Sequence, residues 1–172
     1  MDLSKKIREV QDFPKEGINF KDITTLLQDK DAFQYMVNEL CDQLKDLDID
    51  IVIGPESRGF LVGAPVAYKI GAGFVPVRKP GKLPYETMRH EYQLEYGSDA
   101  LEIHKDAIQP GQKVAILDDL LATGGTVLAT AKLVEALGGE VVSINFLIEL
   151  VFLNGRSVLK PYNIKALVSY DA

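Results

Sequence analysis

Tryptophan is absent from this 172-residue chain, cysteine occurs once and histidine twice. A single cysteine excludes an internal disulfide, and with two histidines it leaves no zinc constellation. Cys41 falls on an apolar helical pattern and reads as a buried, inert thiol. No apolar run reaches the roughly 20 residues that a membrane-spanning helix needs, and the start, Met1 to Arg8, has no apolar signal core. A cytoplasmic protein is expected. Positive charge is in deficit: 19 Lys and Arg face 25 Asp and Glu, a net charge of −6. Nonspecific nucleic-acid binding is therefore disfavoured, although a bulk figure says nothing about a local basic pocket. There is no internal repeat, low-complexity segment or linker, and a chain of this length suggests a single domain, 1–172, with a substantial core.

The chain is organised around Val114-Ala-Ile-Leu-Asp-Asp-Leu-Leu-Ala-Thr-Gly-Gly-Thr126. Val114 to Leu117 has the composition of a strand buried on both faces of a parallel sheet. Asp118 and Asp119 follow it. Ala122, Thr123, Gly124, Gly125 and Thr126 form a loop of small residues, and an apolar helical pattern runs from Val127 to Leu137. Ligands of open α/β sheets bind at the carboxyl ends of the strands. Small residues let loop amides approach an anion, and a helix N-terminus adds unpaired N–H groups. A phosphate fits on Thr123 to Thr126. The two carboxylates suit hydroxyl groups beside it, and together these describe a ribose 5-phosphate.

Elsewhere the pattern alternates. The spacing predicts a short amphipathic helix over Leu3–Val10, a turn at Asp12–Gly17, an extended piece at Ile18–Ile23, and a helix over Asp31–Leu47 with Asp31 as N-cap. Asp50–Ile53 is a short strand ending at Gly54-Pro-Glu-Ser-Arg-Gly-Phe60. That stretch is no P-loop, because Phe60 stands where Lys is needed. Arg58 at a strand end can bind an anion with its guanidinium fork; the plainer alternative is an ion pair with Glu56. Phe60–Ile70 reads as a helix, and Phe74–Val77 as a strand that Pro76 shortens or kinks. Arg78 to His90 lacks periodicity. A hairpin follows, with strands Glu91–Tyr96 and Ala100–His104, and His104 reads as structural. Val141–Phe152 is a buried strand, Asn154–Lys160 a short helix, and Ile164–Val168 a last strand.

The central stretch resembles the phosphoribosyl-diphosphate (PRPP) signature of the type I phosphoribosyltransferases, most of all the adenine-using branch. Phe13-Pro-Lys-Glu-Gly-Ile-Asn-Phe-Lys-Asp-Ile23 is similar to that branch's hood segment, and Leu94-Glu-Tyr-Gly97 to an element near its reaction centre. The resemblance covers nearly the whole chain. It implies an α/β fold with a central, mostly parallel sheet flanked by helices, a small hood over about residues 1–30, and a flexible catalytic β-hairpin loop over about residues 79–97. It implies transfer of a phosphoribosyl group from PRPP to adenine, giving AMP and pyrophosphate, with magnesium carried mainly by PRPP rather than in a protein cage. It assigns Asp118 and Asp119 to the ribose hydroxyls, and Ala122 to Thr126 to the 5-phosphate. Glu56, Ser57, Arg58 and Lys82 fall to the diphosphate, joined by Arg78 from the partner in a homodimer. Phe20 stacks on adenine while backbone groups of Asn19 and Lys21 read its edge; Glu95 is the candidate for the base's proton, and Tyr96 lies beside it. A strained Glu56–Ser57 peptide is implied, for which a cis bond is one form. The 6-oxopurine enzymes carry a third acid where this chain has Ala122, which favours adenine. Two rival readings are an enzyme for another base, such as xanthine or a pyrimidine, and a PRPP-binding regulator. The regulator would need a DNA-binding module, and no appended helix-turn-helix or basic face is apparent.

Overall fold

A computed structural model describes residues 1–93 and 96–172. The chain opens with a 3₁₀ turn, Leu3–Lys6, capped by Asp2, which accepts from the Ser4 amide at 3.1 Å. Strand β1 (Arg8–Val10) follows and pairs antiparallel with β2 (Phe20–Asp22). The helix expected over Leu3–Val10 does not form. Isolated helices this short are marginal, and Leu3 and Ile7 find the core while Arg8 binds Asp22 at 2.7 Å across the strand pair. Helix α1 (Thr24–Gln28), which the pattern did not reveal, precedes α2 (Lys30–Leu44). The cap of α2 is Asp29, not Asp31: its carboxylate accepts from the amides of Asp31 at 3.0 Å and Ala32 at 3.1 Å. The helix stops at Leu44, three residues short of the expected Leu47.

Next come β3 (Ile51–Pro55), α3 (Arg58–Ile70) and β4 (Gly73–Val77), a parallel strand–helix–strand unit. The hairpin strands are β5 (Thr87–Gln93) and β6 (Ser98–His104). Thus β5 starts at Thr87, inside the stretch expected to be irregular. Strand β7 (Lys113–Leu121) is longer than its apolar run and carries Asp118 and Asp119 within it. Helix α4 (Gly125–Ala136), β8 (Glu140–Leu150), 3₁₀ turns at Val151–Leu153 and Gly155–Leu159, and β9 (Ile164–Tyr170) complete the chain.

The main sheet is parallel, in the order β4-β3-β7-β8-β9. Pro76 lies on the edge strand β4, where a missing donor costs little. Both faces of the sheet are covered. Leu117 joins a buried cluster with Leu26, Met36, Leu40 and Val62 beneath α1, α2 and α3. Ile116, the next residue back, joins the opposite cluster with Val75, Leu101, Val134 and Phe146 beneath α4 and the hairpin. Two buried faces explain why the β7 run is unbroken rather than alternating. Each such side chain contributes about 1.5–3 kcal/mol on burial. Helix α3 divides its apolar residues: Val62, Val66 and Ala67 pack inward, whereas Leu61, Ala64 and Tyr68 are exposed. Cys41 is buried, and burial raises its thiol pKa. Among the described residues no helix is long and apolar enough to cross a membrane.

Candidate functional site

Strands β3 and β7 are neighbours, so their carboxyl ends open side by side. Helix α3 begins just beyond one and α4 just beyond the other. Neither helix has a side-chain cap or an acidic residue in its first turn. Their first N–H groups, which lack intrahelical partners, are left for an anion. A cavity of about 220 Å³ lies here, lined by Glu56–Arg58, by Asp118 and Asp119, and by the loop from Ala122 to Thr126. The structure therefore brings three separately predicted groups into one place.

The two carboxylates are not equivalent. Asp119 is 5% exposed and accepts a hydrogen bond from Nε of Arg58. Asp118 turns an oxygen back to the Asp119 amide at 2.8 Å. That same oxygen sits 3.0 Å from where a Cβ on Gly59 would lie, so the first turn of α3 approaches it closely only because residue 59 has no side chain. Burial and the adjacent Asp119 carboxylate push the Asp118 carboxyl well above the usual range, and the attraction of Arg58 does not reverse this.

Glu56 organises the cationic side. Its carboxylate accepts from Nζ of Lys82 at 2.5 Å and from the Lys79 amide at 2.7 Å, with Nε of Arg78 3.4 Å away. Burial works against ionisation of Glu56, but the Lys82 and Lys79 bonds outweigh it and hold the carboxyl below its ordinary value. The alternative pairing of Arg58 with Glu56 is not the one formed; Arg58 goes to Asp119 and Glu56 to Lys82. Arg78, which pattern alone could not place, lies beside Glu56 in its own chain, with its guanidinium 5.7 Å from the Phe60 ring centre. The Glu56–Ser57 peptide is cis.

The hood leans on the same place. Phe20 is half-buried, packs edge-to-face on Phe13 at 5.2 Å, and has the Arg58 guanidinium 5.4 Å from its ring centre. It faces the cavity's arginine rather than the core. Nδ2 of Asn19 and Nζ of Lys21 both bind Glu9, at 2.5 and 3.0 Å, and Lys21 lies 4.1 Å over the Tyr170 ring. Tyr96 is exposed near the hairpin turn. Glu95 lies outside the described residues. His104 accepts from the Tyr85 amide at 3.3 Å, a structural contact.

Some neighbours of the site were invisible in the sequence. Lys79 pairs with Asp99 of the hairpin, and the Tyr92 ring lies 3.6 Å from where a Cβ on Gly125 would be. Behind the loop stand Gly155 and Val158: a Cβ on Gly124 would be 2.8 Å from the Gly155 carbonyl oxygen and from a Val158 methyl. Gly124 also has φ +87. A side chain there would thus strike the wall behind the loop. No local signal links residues 124 and 155. Among the described residues no group of three or more His, Cys, Asp or Glu could hold a metal ion. Magnesium on a polyphosphate needs only one or two protein carboxylates, and Glu56, Asp118 and Asp119 at the cavity meet that need.

The phosphoribosyl transferase domain model matches residues 23–165. The chain is 76% identical to adenine phosphoribosyltransferase of Alkaliphilus metalliredigens over 170 residues, 99% of this chain and all of that one. Among solved structures, adenine phosphoribosyltransferase of Thermoanaerobacter pseudethanolicus superposes with a TM-score of 0.96 at 58% identity, covering 98% of each chain. The Saccharomyces cerevisiae enzyme, crystallised with an imino-altritol bisphosphate and adenine, gives 0.88 at 42% identity, covering 97% of this chain and 96% of that one.

Proposed function

The chain belongs to the phosphoribosyltransferase family, and we propose from that membership and from the cavity that it transfers the 5-phosphoribosyl group of PRPP to adenine. The products are AMP and pyrophosphate, a purine salvage reaction. The observation that carries this reading is the pair of uncapped helix N-termini on either side of the carboxylate pair that lines the cavity. One helix start serves the 5-phosphate, the other the diphosphate, and the acids between them serve the ribose.

The C1–O bond breaks toward a sugar cation like that of glycoside cleavage. Asp118 and Asp119 bind the ribose hydroxyls, and their field favours the cation. The amides of Ala122 to Thr126 hold the 5-phosphate, a remote contact that fixes the reacting carbon in place. Ser57 and Arg58 at the start of α3, with Lys82 and Glu56 beside them, receive the diphosphate. Arg58 leaves Asp119 to do so, which frees that carboxylate for ribose. Magnesium, when bound with PRPP, would add positive charge at the leaving group, with the carboxylates at the cavity available to it. Phe20 stacks on adenine, and the backbone of Asn19 and Lys21 reads its 6-amino edge. Ala122 leaves no acid where the 6-oxopurine enzymes use one. Glu95, with Tyr96 beside it, is assigned the proton of the base. The test is pyrophosphate release: adenine is expected to be strongly preferred, and a comparable kcat/KM with hypoxanthine would overturn the assignment.

The reading includes a two-fold homodimer whose sites each borrow Arg78 from the partner. The outward face of α3, with Leu61, Ala64 and Tyr68 exposed, supports a second apolar contact. Mixing Arg78→Ala with Arg58→Ala subunits is then expected to restore activity, because one site per heterodimer holds both arginines. A fully active monomer by light scattering, or exchange without recovery, contradicts the shared site.

A further inference from the structure

Strand β8 ends in an unusual residue for the middle of a parallel sheet. Glu149 stands in register with Leu121 of β7 on one side and Ser169 of β9 on the other, and it is only 6% exposed. A charge at such a place is strongly unfavourable unless it is paired and hydrogen-bonded. Its partner is Arg156, whose Nε and Nη2 each meet one carboxylate oxygen at 2.7 Å. The third nitrogen of the fork, Nη1, donates to the Ile164 carbonyl at 3.1 Å. A two-pronged guanidinium–carboxylate pair has one good geometry, so it sets where the backbone at residue 156 can lie.

What that backbone touches is the phosphate loop. Gly155, the preceding residue, abuts Ala122 so closely that a Cβ on it would overlap the Ala122 carbonyl and come within 2.8 Å of a Leu121 methyl. From the other side, a Cβ on Gly124 would meet the Gly155 carbonyl oxygen at 2.8 Å. The 3₁₀ turn that begins at Gly155 ends at Leu159, which is fully buried in the core. The loop is therefore backed by a short turn fastened at both ends, by Arg156 to Glu149 and by Leu159 to the core. Arg156 and Glu149 do not line the cavity themselves.

We propose that Arg156, held by Glu149, is a positioning residue for the 5-phosphate: it keeps Gly155 pressed behind Ala122–Gly124 and so fixes the direction of the loop amides. This rests on the reading of that loop as the 5-phosphate site. Amides that form an anion cradle must all point at one place, and a displacement of about 1 Å in a binding group can cost about a hundredfold in rate. Removing the brace leaves the cradle's own residues intact but loosens their alignment.

The test uses the full-length protein and AMP. Calorimetry on Arg156→Lys, which keeps the charge but loses the fork, is expected to show AMP binding weakened about tenfold, with Arg156→Gln and Glu149→Gln weakened further. KM for PRPP rises in step, while KM for adenine stays within about twofold. A merely structural pair would lower Tm and leave this split unmoved. Hydrogen exchange on the wild type adds a measurement that needs no variant: the amides of 155–159 are expected to gain protection with those of 122–126 when AMP binds. Wild-type AMP affinity in a folded Arg156→Lys variant, or protection confined to 122–126, overturns the brace. Failure of the wild type to bind AMP at all instead brings down the reading of the loop, and the brace with it.

Discussion

At one end of the cavity the loop 122–126 offers backbone; at the other, Arg58 and, beside Glu56, Lys82 offer side chains. The backbone end is fixed by the chain's own packing. Gly124 takes its left-handed turn, Gly155 stands behind it, and the α4 N-terminus is left uncapped. No countercharge has to leave. The side-chain end is different, because its cations pair with carboxylates: Arg58 with Asp119, and Lys82 with Glu56. These carboxylates occupy the partners that a diphosphate would take. An anion binding here exchanges one set of charge-assisted bonds for another, so its net gain is smaller than the contacts suggest. Lys82 is 46% exposed at its side chain, and its pairing is open to screening by salt. On the proposed reading, one end would supply fixed affinity and the other a response to the substrate.

The largest effect expected lies between the two ends. Asp119→Asn and Asp118→Asn are each expected to lower kcat/KM by at least about a hundredfold, because on the proposed reading each removes a ribose contact that strengthens in the transition state. They differ in stability. Asp118 has a raised carboxyl pKa in the fold, so the folded state keeps a proton that the unfolded chain releases. Its contribution is present below the ordinary carboxylate range and is lost as pH rises through the raised value. Asp118→Asn is expected to raise Tm at neutral pH and to flatten its decline with pH over that window. Thermal melts across pH check this; a variant less stable at neutral pH than the wild type refutes it, and near wild-type turnover in both variants sinks the ribose assignment.

A smaller effect separates two adjacent glycines of the backbone end. Gly124→Ala is expected to cost about 1–3 kcal/mol in stability from its positive φ, with a further loss from contact with Gly155. Gly125→Ala meets only the Tyr92 ring at 3.6 Å and is expected to cost less. Denaturant titration of both variants gives the order. Equal losses would mean that the wall behind Gly124 does not matter.

The smallest effect tests the contrast directly. Lys82→Ala is expected to raise KM for PRPP by about tenfold, with a weaker salt dependence than the wild type. AMP has no diphosphate, so its affinity is expected to stay unchanged in Lys82→Ala and to fall in Gly124→Ala. If AMP binding drops equally in both, the two ends are not separable and the division drawn here is wrong.

Several elements were legible in the chain. The phosphate loop is contiguous, and its strand, acidic pair, glycines and helix start follow one another within thirteen residues. Arg58 was legible by position at a strand end, and α3 as a helix by its apolar spacing. The N-terminal helix was not, because pairing of Arg8–Val10 with Phe20–Asp22 overrode a weak local tendency. Asp29 and Asp31 are both good caps, and only the course of the chain out of α1 chose between them. The left-handed conformation of Gly124 suits its motif, but the direction a side chain would point there depends on Gly155.

The sequence by itself determined the elements whose cause is local: apolar runs that make buried strands, helical spacing that makes α2 and α3, and a glycine loop that must precede α4. Tertiary structure decided which carboxylate each cation meets. Arg58 and Asp119 are 61 positions apart, Glu56 and Lys82 are 26, and Lys79 and Asp99 are 20. The first of these pairs exists because β3 lies beside β7, and the second because β4 lies on the other side of β3 and leads its chain back past Glu56. Strand order in a parallel sheet is set by packing across crossovers, and no local pattern of charge encodes it.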